Sequence, residues 1–566
     1  MPDPTREICY LSLEIGLSAS IPTYSGGLGL LAGDTIMAAA DLGLPYVGVT
    51  LLYRGGYFTQ TLGPDGSQIE SEAQWSPEDM LEEMPQRVHV PIEGRTVHIR
   101  AFRKWVNGAS GWDVPVYFLD ADLPENDEQD RLITRSLYSG DQRHRVKQGA
   151  VLGIAGKRFV RAATHDIATF HMNEGHAFLV MLELMSEYLA RHRSPEITAA
   201  CIEHVRSRCV FTTHTPVAAG HDRFDPKMVR EIIGDHPLLD RPELIGPPAA
   251  KGKELNTTVM ALNLSRFANA VAKKHAEVSR GMFPGFAIEG ITNGVHTGRW
   301  ATDSMATLFD EHMPGWRQDH AELRNAARIP ASLIREAHGE AKAALLTRVQ
   351  SATGQTLRDD VFTIGFARRS TAYKRPDLAL RDPARLAAIA EKFGGLQLVF
   401  AGKAHPHDGP GKDYLRRINE IAKSLKGQVE VAIVPNYEID LAALMVAGSD
   451  IWLNTPRPPM EASGTSGMKA AANGVPSLST LDGWWIEGCV PGVTGWAIEG
   501  GGKTDDELDA AHTASLLDAL EHDIMPVWKD DPRAWSRIQR ACIATNGSHF
   551  STQRMVREYI TRAYLH

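Results

Sequence analysis

Residues 461–488 constrain the fold of this chain more than any other stretch of its sequence. They follow an apolar run, residues 450–454, that is typical of a buried strand. The stretch then opens with a turn of small residues, A-S-G-T-S-G, and a helical run begins at Met468. Small residues ahead of a helix leave backbone N–H groups accessible and let an anion come close. The order of these elements therefore predicts an anion site at the start of the helix.

A single lysine, Lys469, lies in the first turn of that helix. A cation at this end opposes the helix dipole, so its presence there needs an explanation. Either Lys469 meets a phosphate, or it is uncharged because it is covalently engaged, as in a Schiff base. A glycine-rich turn with a solvated lysine is the alternative that the spacing leaves open.

The string E-A-S-G-T-x-x-M-K, residues 461–469, strongly resembles the pyridoxal phosphate attachment site of the α-glucan phosphorylases, which act on glycogen, starch and maltodextrin. The resemblance implies that Lys469 carries the cofactor and that Gly464 and Thr465 lie near the cofactor phosphate. It also implies that Glu461, Ser463 and Gly464 bind hydroxyl groups of the glucosyl unit.

Length, charge and cysteine content limit the class of protein. The 566 residues, 43% of them apolar, allow two large domains or three smaller ones. A net charge of −9 gives no field that would recruit nucleic acid or an anionic membrane. Five widely spread cysteines without metal-ligand spacing predict reduced thiols and a cytoplasmic protein. The sequence shows neither a secretory signal pattern nor an apolar run long enough to cross a bilayer.

The C-terminal half alternates between apolar runs and helical stretches. Strands are predicted at residues 361–367, 396–402, 429–434, 450–454 and 475–479. This alternation is typical of a doubly wound parallel sheet. Residues 1–345 are expected to form one domain and residues 346–545 a second, with a final helix in residues 546–566. The resemblance implies a glycosyltransferase-B architecture, in which two Rossmann-like α/β domains face a central cleft and the final helix crosses back to the first domain.

A glycine-rich turn, Y-S-G-G-L-G at residues 24–29, follows a predicted strand at residues 7–13 and precedes a helical run at residues 30–42. Such a turn can cradle an anion, although a tight turn packed against a helix is the alternative. The wider string L-S-L-E…Y-S-G-G-L-G resembles the N-terminal signature of bacterial and archaeal phosphorylases. In that family the backbone of the turn meets the substrate phosphate, which assigns Gly27 and Leu28.

Residues 136–148, in the first half, begin a predicted helix and resemble the phosphorylase gate segment. Asp141 and Gln142 stand where the family carries Asp and Asn, and a solvated basic helix start is the alternative.

Three further strings of the first half resemble sugar-binding segments of the family. N-E-G-H places Glu174 and His176 near the site, T-T-H-T-P supplies His214, and I-T-N-G supplies Asn293. All of these polar residues follow predicted strands, where open α/β sheets bind ligands. The histidines of residues 165–176 lack metal-ligand spacing, so no metal site is expected.

A basic cluster, F-A-R-R-S-T-A-Y-K-R at residues 366–375, follows the first predicted strand of the second half. Arginine offers a planar fork for phosphate oxygens and lysine a point charge. The resemblance implies that Arg369 and Lys374 bind the substrate phosphate and that Tyr373 contacts the sugar. It also places Arg368, in the position of the family's lysine, beside the cofactor phosphate. A surface helix start is the alternative.

The resemblance covers nearly the whole chain and implies an α-1,4-glucan phosphorylase, a hexosyltransferase that uses pyridoxal 5′-phosphate. This enzyme transfers the non-reducing terminal glucosyl unit of glycogen or maltodextrin to inorganic phosphate, giving α-D-glucose 1-phosphate with retention. The cofactor phosphate serves as a proton relay. The implied catalytic residues are Lys469, Arg369, Lys374, His214 and Glu461.

Two alternatives remain open. A nucleotide-sugar-dependent glucan synthase of the same fold would carry a lysine where this chain has Tyr24. A catalytically idle glucan-binding protein would be expected to lose one of Lys469, Arg369, Lys374 or Glu461, and all four are present. A homodimer is one option for the oligomeric state.

Overall fold

The structure is a computed structural model that describes residues 7–565, apart from the side chains of Ala219 and Pro248. In chain order the strands are β1 Glu7–Ser12, β2 Tyr46–Leu51, β3 Thr59–Leu62, β4 Gln68–Ser71, β5 Glu82–Glu83, β6 Val88–Ile92, β7 Arg95–Asn107, β8 Asp113–Asp120, β9 Ile167–Asn173, β10 Cys209–Thr213, β11 Arg223–Phe224, β12 Leu255–Asn256, β13 Phe267–Ala270, β14 Glu289–Gly290, β15 Phe362–Ala367, β16 Leu396–Ala401, β17 Glu430–Val434, β18 Ile451–Asn454, β19 Ser477–Thr480 and β20 Gly495–Ile498.

The chain divides into two compact units. The first contains the described residues up to Phe58, Glu72–Thr292 and the residues from Met555 onward. The second contains Thr59–Ser71 and Asn293–Arg554. Both units are mixed α/β structures built on sheets whose central strands run parallel.

The sheet of the first unit has the order β14-β13-β10-β9-β1-β2-β8-β7-β5, and β6 pairs with β7. The strands from β14 to β8 are parallel, whereas β7 runs antiparallel to β8. Since β1 lies between β2 and β9, the strand order reverses between β1 and β9. The segments that follow these two strands diverge there, which is where doubly wound sheets bind ligands.

Helices of eight or more residues in the first unit are Gly27–Asp41, Gln142–Ala150, Leu179–His192, Ala199–Arg206, Pro226–Ile233 and Lys273–Met282. The helix predicted near the C-terminus is confirmed as Thr552–Tyr559. It buries Met555 and Val556 in one cluster with Leu31 and Val210, so the end of the chain forms part of the first unit's core.

The six strands of the second unit run parallel in the order β17-β16-β15-β18-β19-β20. Counted along the chain, this is the 3-2-1-4-5-6 order of a doubly wound sheet, and the strand order reverses between β15 and β18. The predicted parallel sheet is confirmed. α-Helices of eight or more residues in this unit are Asp303–His312, Ala331–Thr353, Pro383–Phe393, Gly409–Leu425, Ile439–Gly448, Asp505–Asp518 and Pro532–Ala541, and a 3₁₀ helix spans His320–Arg328.

The predicted domain boundary near residue 345 falls inside helix Ala331–Thr353. This helix has a charged exposed face and a buried apolar face. The buried face includes Leu345 and Val349, which pack in one cluster with Val399 and Met445 of the second unit. This packing places the helix in the second compact unit, which in this part of the chain begins at Asn293.

The hairpin of β3 and β4 also belongs to the second unit. Gln60 Nε2 donates to the Gly402 carbonyl at 2.9 Å, and Gln68 Nε2 donates to the Ala404 carbonyl at 2.8 Å. Two buried amide side chains thus hold the hairpin on the segment that follows β16.

Among residues 7–565, no helix has both the length and the apolar character needed to span a membrane. All five cysteines are free thiols, and four of them are buried.

Candidate active site

The residues predicted to bind phosphate and cofactor in the second unit follow the two strands where the strand order reverses. Arg368 directly follows β15, and residues 461–469 follow β18 after a short loop. Because both segments leave the carboxyl edge of the sheet at the same place, their side chains meet.

Glu461 joins the two segments. Its carboxylate accepts a hydrogen bond from Arg368 Nη2 at 2.7 Å and another from Lys374 Nζ. The side chains of Glu461, Arg368 and Lys374 are 11%, 8% and 9% exposed. Burial would raise the pKa of Glu461, but the charges of Arg368 and Lys374 lower it to about 2. Glu461 is therefore a carboxylate throughout the neutral range.

Lys374 can change its charge near neutral pH. Burial, together with the like charge of Arg368, lowers the pKa of Lys374 to about 7, although Glu461 acts in the opposite direction. Its Nζ also lies 4.5 Å from the ring centroid of Tyr373. Strongly shifted pKa values in buried charge clusters are common at functional sites.

Asp482, which was not predicted from the sequence as a site residue, supports this cluster. Its Oδ2 accepts the backbone N–H of Glu461 at 2.8 Å, and burial raises the pKa of Asp482 to about 6. The next turn adds a second contact, because the Trp484 N–H donates to the Ser463 carbonyl at 2.9 Å. Asp482 follows β19 at the same edge of the sheet. Its position shortly after a predicted strand is the sequence feature that could have identified it as a site residue.

Lys469 lies in helix Ser466–Ala472 and is only 4% exposed. Its Nζ lies 3.6 Å from the ring centroid of Trp300, where the aromatic face stabilises a cation. The alternative of a solvated lysine is therefore wrong. A buried lysine agrees with either of the other two explanations, an anionic neighbour or covalent engagement.

The 461–469 turn fits the pyridoxal phosphate that the resemblance implies. Arg368 Nη1 and Ser463 Oγ are buried and have no hydrogen-bond partner within residues 7–565. Gly464 has a φ of 81°, and a Cβ added there would lie 3.6 Å from Arg368 Nη2. Since buried polar atoms are nearly always paired in native proteins, the unpaired Arg368 Nη1 and Ser463 Oγ point to a bound polar group. A phosphate would give the guanidinium its missing acceptor.

Two other predicted residues of the second unit differ in burial. Arg369 is exposed, in contrast to Arg368 and Lys374. Asn293 is 4% exposed, and its Oδ1 has no hydrogen-bond partner in the described part of the chain. Its backbone carbonyl accepts from Arg554 at 2.9 Å, which fixes the backbone while leaving the amide oxygen for a donor.

In the first unit, the glycine-rich turn wraps around a buried carboxylate. Glu14 follows β1 and is 1% exposed. It accepts the Ser25 N–H at 2.6 Å and the Tyr138 hydroxyl at 2.7 Å. A Cβ on Gly29 would lie 2.7 Å from Glu14 Oε2, so this position requires glycine. Neither Glu14 nor Tyr138 was predicted from the sequence as a site residue.

The predicted phosphate contacts in this turn are Gly27 and Leu28, which begin helix Gly27–Asp41. Gly27 is exposed and Leu28 is half-buried. N–H groups in the first turn of a helix have no acceptor within the helix, so these two amides can bind an anion.

Glu174 and His214 come together at the ends of β9 and β10. Glu174 Oε2 accepts the His214 N–H at 2.7 Å and the Thr215 hydroxyl at 3.0 Å. His214 Nε2 lies 2.6 Å from Asn173 Oδ1, and burial lowers the pKa of His214 to about 4 despite the charge of Glu174. His214 is therefore a neutral imidazole that donates from Nε2. Glu174 holds the backbone of this loop, and the half-buried His176 packs edge-on against Tyr138.

The gate segment is exposed at Asp141 and Gln142. The helix predicted from residue 136 starts only at Gln142, because Asp141 caps it by accepting the His144 N–H at 2.9 Å. Gln142 Nε2 donates to the Arg223 carbonyl at 3.4 Å. The structure thus gives Asp141 a helix-capping role, and the solvated helix start remains an alternative for this segment.

Known proteins resemble this chain along its whole length. Residues 222–490 match the family described as carbohydrate phosphorylase. A maltodextrin phosphorylase from Thermococcus litoralis is 36% identical over 100% of this chain and 71% of its own length. A glycogen phosphorylase from Mycobacterium bovis is 36% identical over 98% of this chain and 70% of its own length. A glycogen phosphorylase from Aquifex aeolicus is 34% identical over 99% of this chain and 86% of its own length.

Proposed function

Because the chain belongs to the carbohydrate phosphorylase family and is an α-glucan phosphorylase of the glycogen phosphorylase type, we propose that it transfers the non-reducing terminal glucosyl unit of an α-1,4-glucan to inorganic phosphate. The product is α-D-glucose 1-phosphate with retained configuration. The observation that carries this proposal is the buried cluster of Glu461, Arg368 and Lys374 at the edge of the second sheet. It combines two cations for phosphate with a carboxylate for sugar hydroxyls.

Lys469 would hold pyridoxal phosphate, with Arg368, Gly464 and Thr465 around the cofactor phosphate. When bound, the cofactor would supply a phosphate group that gives a proton to the substrate phosphate and takes it back. Lys374 and Arg369 would bind the substrate phosphate, and the amides of Gly27 and Leu28 would add neutral donors. Together these groups would stabilise the negative charge that faces an oxocarbenium-like glucosyl unit.

The glucosyl unit would be oriented by the other predicted residues. Glu461 would accept hydrogen bonds from its hydroxyl groups, and Ser463 would donate one to them. The unpaired Asn293 Oδ1 would accept a hydrogen bond from one further hydroxyl group. His214 would accept a sugar hydroxyl on Nδ1 of its neutral ring or on its backbone carbonyl, while Tyr373 would pack against the sugar. The remaining predicted glucan contacts are Asp141, Gln142, Glu174, His176 and Gly464. Holding the sugar rigidly in this way lowers the entropic part of the barrier.

The proposal extends to architecture and setting. The strand orders support two Rossmann-like domains. Family membership extends the proposal to a glycosyltransferase-B arrangement, in which these domains would face a central cleft, with glucan and gate elements on the first domain and cofactor and phosphate elements on the second. Five free cysteines support a cytoplasmic location. We also propose a homodimer, which sedimentation would test.

Phosphate-dependent release of glucose 1-phosphate from maltodextrins of defined length tests the proposed function directly. We expect each turnover to shorten the glucan by one unit and to consume one phosphate. Enzymatic assay of glucose 1-phosphate, together with chromatography of the shortened glucan, measures both. Hydrolysis to free glucose, or turnover that does not depend on phosphate, would contradict the proposal.

The shifted pKa of Lys374 predicts a pH dependence for phosphate use. The ammonium form binds phosphate, and it is present below the folded pKa of about 7. The kcat/KM for phosphate should therefore fall as pH rises through about 7, since this parameter reports the free enzyme. Lys374→Arg keeps its charge across this range, so its profile should lose the decline while its overall rate is lower.

The comparison of the two pH profiles is made at constant ionic strength. Inorganic phosphate itself titrates in the same pH range, but this change in the substrate affects both proteins equally. Profiles of the same shape for wild type and Lys374→Arg would show that Lys374 does not cause the decline.

A further inference from the structure

A buried carboxylate outside the proposed site links the two segments that carry Lys374 and Glu461. Asp509 lies on helix Asp505–Asp518 and is 4% exposed. Its Oδ1 accepts from Arg375 Nη1 at 2.8 Å, and both of its oxygens lie 2.9 Å from Arg457 Nη2. Arg375 directly follows Lys374, and Arg457 lies shortly before Glu461, so Asp509 holds one arginine from each segment.

Arg375 ties its own segment to the other one. It is fully buried, and besides Asp509 its guanidinium donates to the Thr455 and Pro456 carbonyls, both at 2.8 Å. Thr455 Oγ1 returns a hydrogen bond to the Lys374 carbonyl at 2.9 Å. Arg375 also has a φ of 45°, a conformation that persists in non-glycine residues only where the surroundings impose it.

Arg457 closes the link from the other side. Its backbone N–H donates to the Tyr373 carbonyl at 2.8 Å, while its side chain reaches Asp505 as well as Asp509. Asp509 also accepts from Arg381 Nη1 at 2.6 Å, so a single carboxylate contacts three guanidinium groups. A buried guanidinium is strongly destabilised when its counter-ion is removed, and the remaining cations would then repel one another.

We propose that Asp509 is a positioning residue for the phosphate site, a role that rests on the proposed function. Through Arg375 and Arg457 it fixes the separation between Lys374 and Glu461. Asp509 itself does not reach the phosphate ligands; its effect is transmitted through the backbone on either side of the two arginines. Loss of its charge should therefore disturb phosphate binding more than glucan binding.

Asp509→Asn keeps the shape of the side chain and removes the charge. We expect it to raise the KM for phosphate by about 10- to 100-fold, the effect of a small misplacement of binding groups, and to change the KM for maltodextrin by less than about 3-fold. Asp518→Asn is the matched control, because Asp518 lies on the same helix and pairs with Arg385 on the surface. This control should leave both KM values unchanged.

Arg457→Gln provides a second measurement if Asp509→Asn fails to fold. It should raise the phosphate KM in the same direction, and Arg457→Lys, which keeps a cation for Asp509, should restore part of the loss. Calorimetric titration with inorganic phosphate measures binding without turnover. A wild type that neither binds phosphate nor releases glucose 1-phosphate refutes the proposed function. If the wild type does both, the positioning role is overturned by either of two results: the variants bind phosphate as tightly as the wild type, or their KM values for phosphate and for maltodextrin rise equally.

Discussion

Lys469→Met is expected to abolish phosphorolysis and to leave the isolated protein without covalently bound pyridoxal phosphate. Lys469 is buried, and its Nζ packs on the face of Trp300. Methionine is unbranched and of similar length, so it fills the same space against the indole while removing the amine. The fold should therefore survive. Activity should fall by at least about 1,000-fold, because the group that carries the chemistry is lost.

Borohydride reduction followed by peptide mapping measures the cofactor independently of activity. The wild type should carry the pyridoxyl group on Lys469, and Lys469→Met should carry none, at a melting temperature within a few degrees of the wild type. Lys392→Met is the control, since Lys392 is a half-exposed lysine of the same unit that pairs with Glu521. A pyridoxyl group on another lysine, or active protein without the cofactor, would refute the assignment.

The sheet of the second unit was predictable because its strands are buried on both faces. Continuous apolar runs separated by helical stretches leave a pattern that needs no knowledge of tertiary contacts. β20 was missed, since it is a four-residue edge strand that begins with Gly495 and gives no periodic signal. Residues 88–107 form the hairpin of β6 and β7, because Glu93 and Gly94, with φ of 53° and 76°, turn the chain back between the two strands.

The supporting residues of the site were not predictable in the same way. Glu14, Asp482 and Asp509 act through partners far along the chain, and although Glu14 and Asp482 follow strands, their local sequence does not identify those partners. The burial of Lys469 also depends on a residue far away in the sequence, because its side chain packs against Trp300. Local patterns thus predict which residues follow the strands, whereas the charges that hold those residues in place emerge only from the folded chain.

Lys374→Ala is expected to lower phosphorolysis by about 100-fold or more, equivalent to at least about 2.7 kcal/mol of transition-state stabilisation. Lys374 is one of two cations that balance the buried carboxylate of Glu461. Without it, an incoming phosphate would meet that carboxylate with less positive charge between them, and the like charges would repel. Arg368 still pairs with Glu461, so the fold and the cofactor content should be retained. Lys423→Ala removes an exposed lysine of the same unit and should be neutral.

The pattern of the loss separates phosphorolysis from transfer out of a nucleotide sugar. In a phosphorylase, Lys374→Ala and Arg369→Ala should weaken phosphate far more than maltodextrin, because each removes a positive charge that attracts the phosphate anion directly and the neutral glucan does not. In a glucan synthase the same variants would instead lose affinity for the nucleotide sugar, and the wild type would not require phosphate. The deciding assay therefore supplies the wild type with UDP-glucose or ADP-glucose in phosphate-free buffer. Robust chain elongation there would defeat the assignment, whereas elongation that appears only with glucose 1-phosphate would agree with it, since the reverse of phosphorolysis uses the same cations.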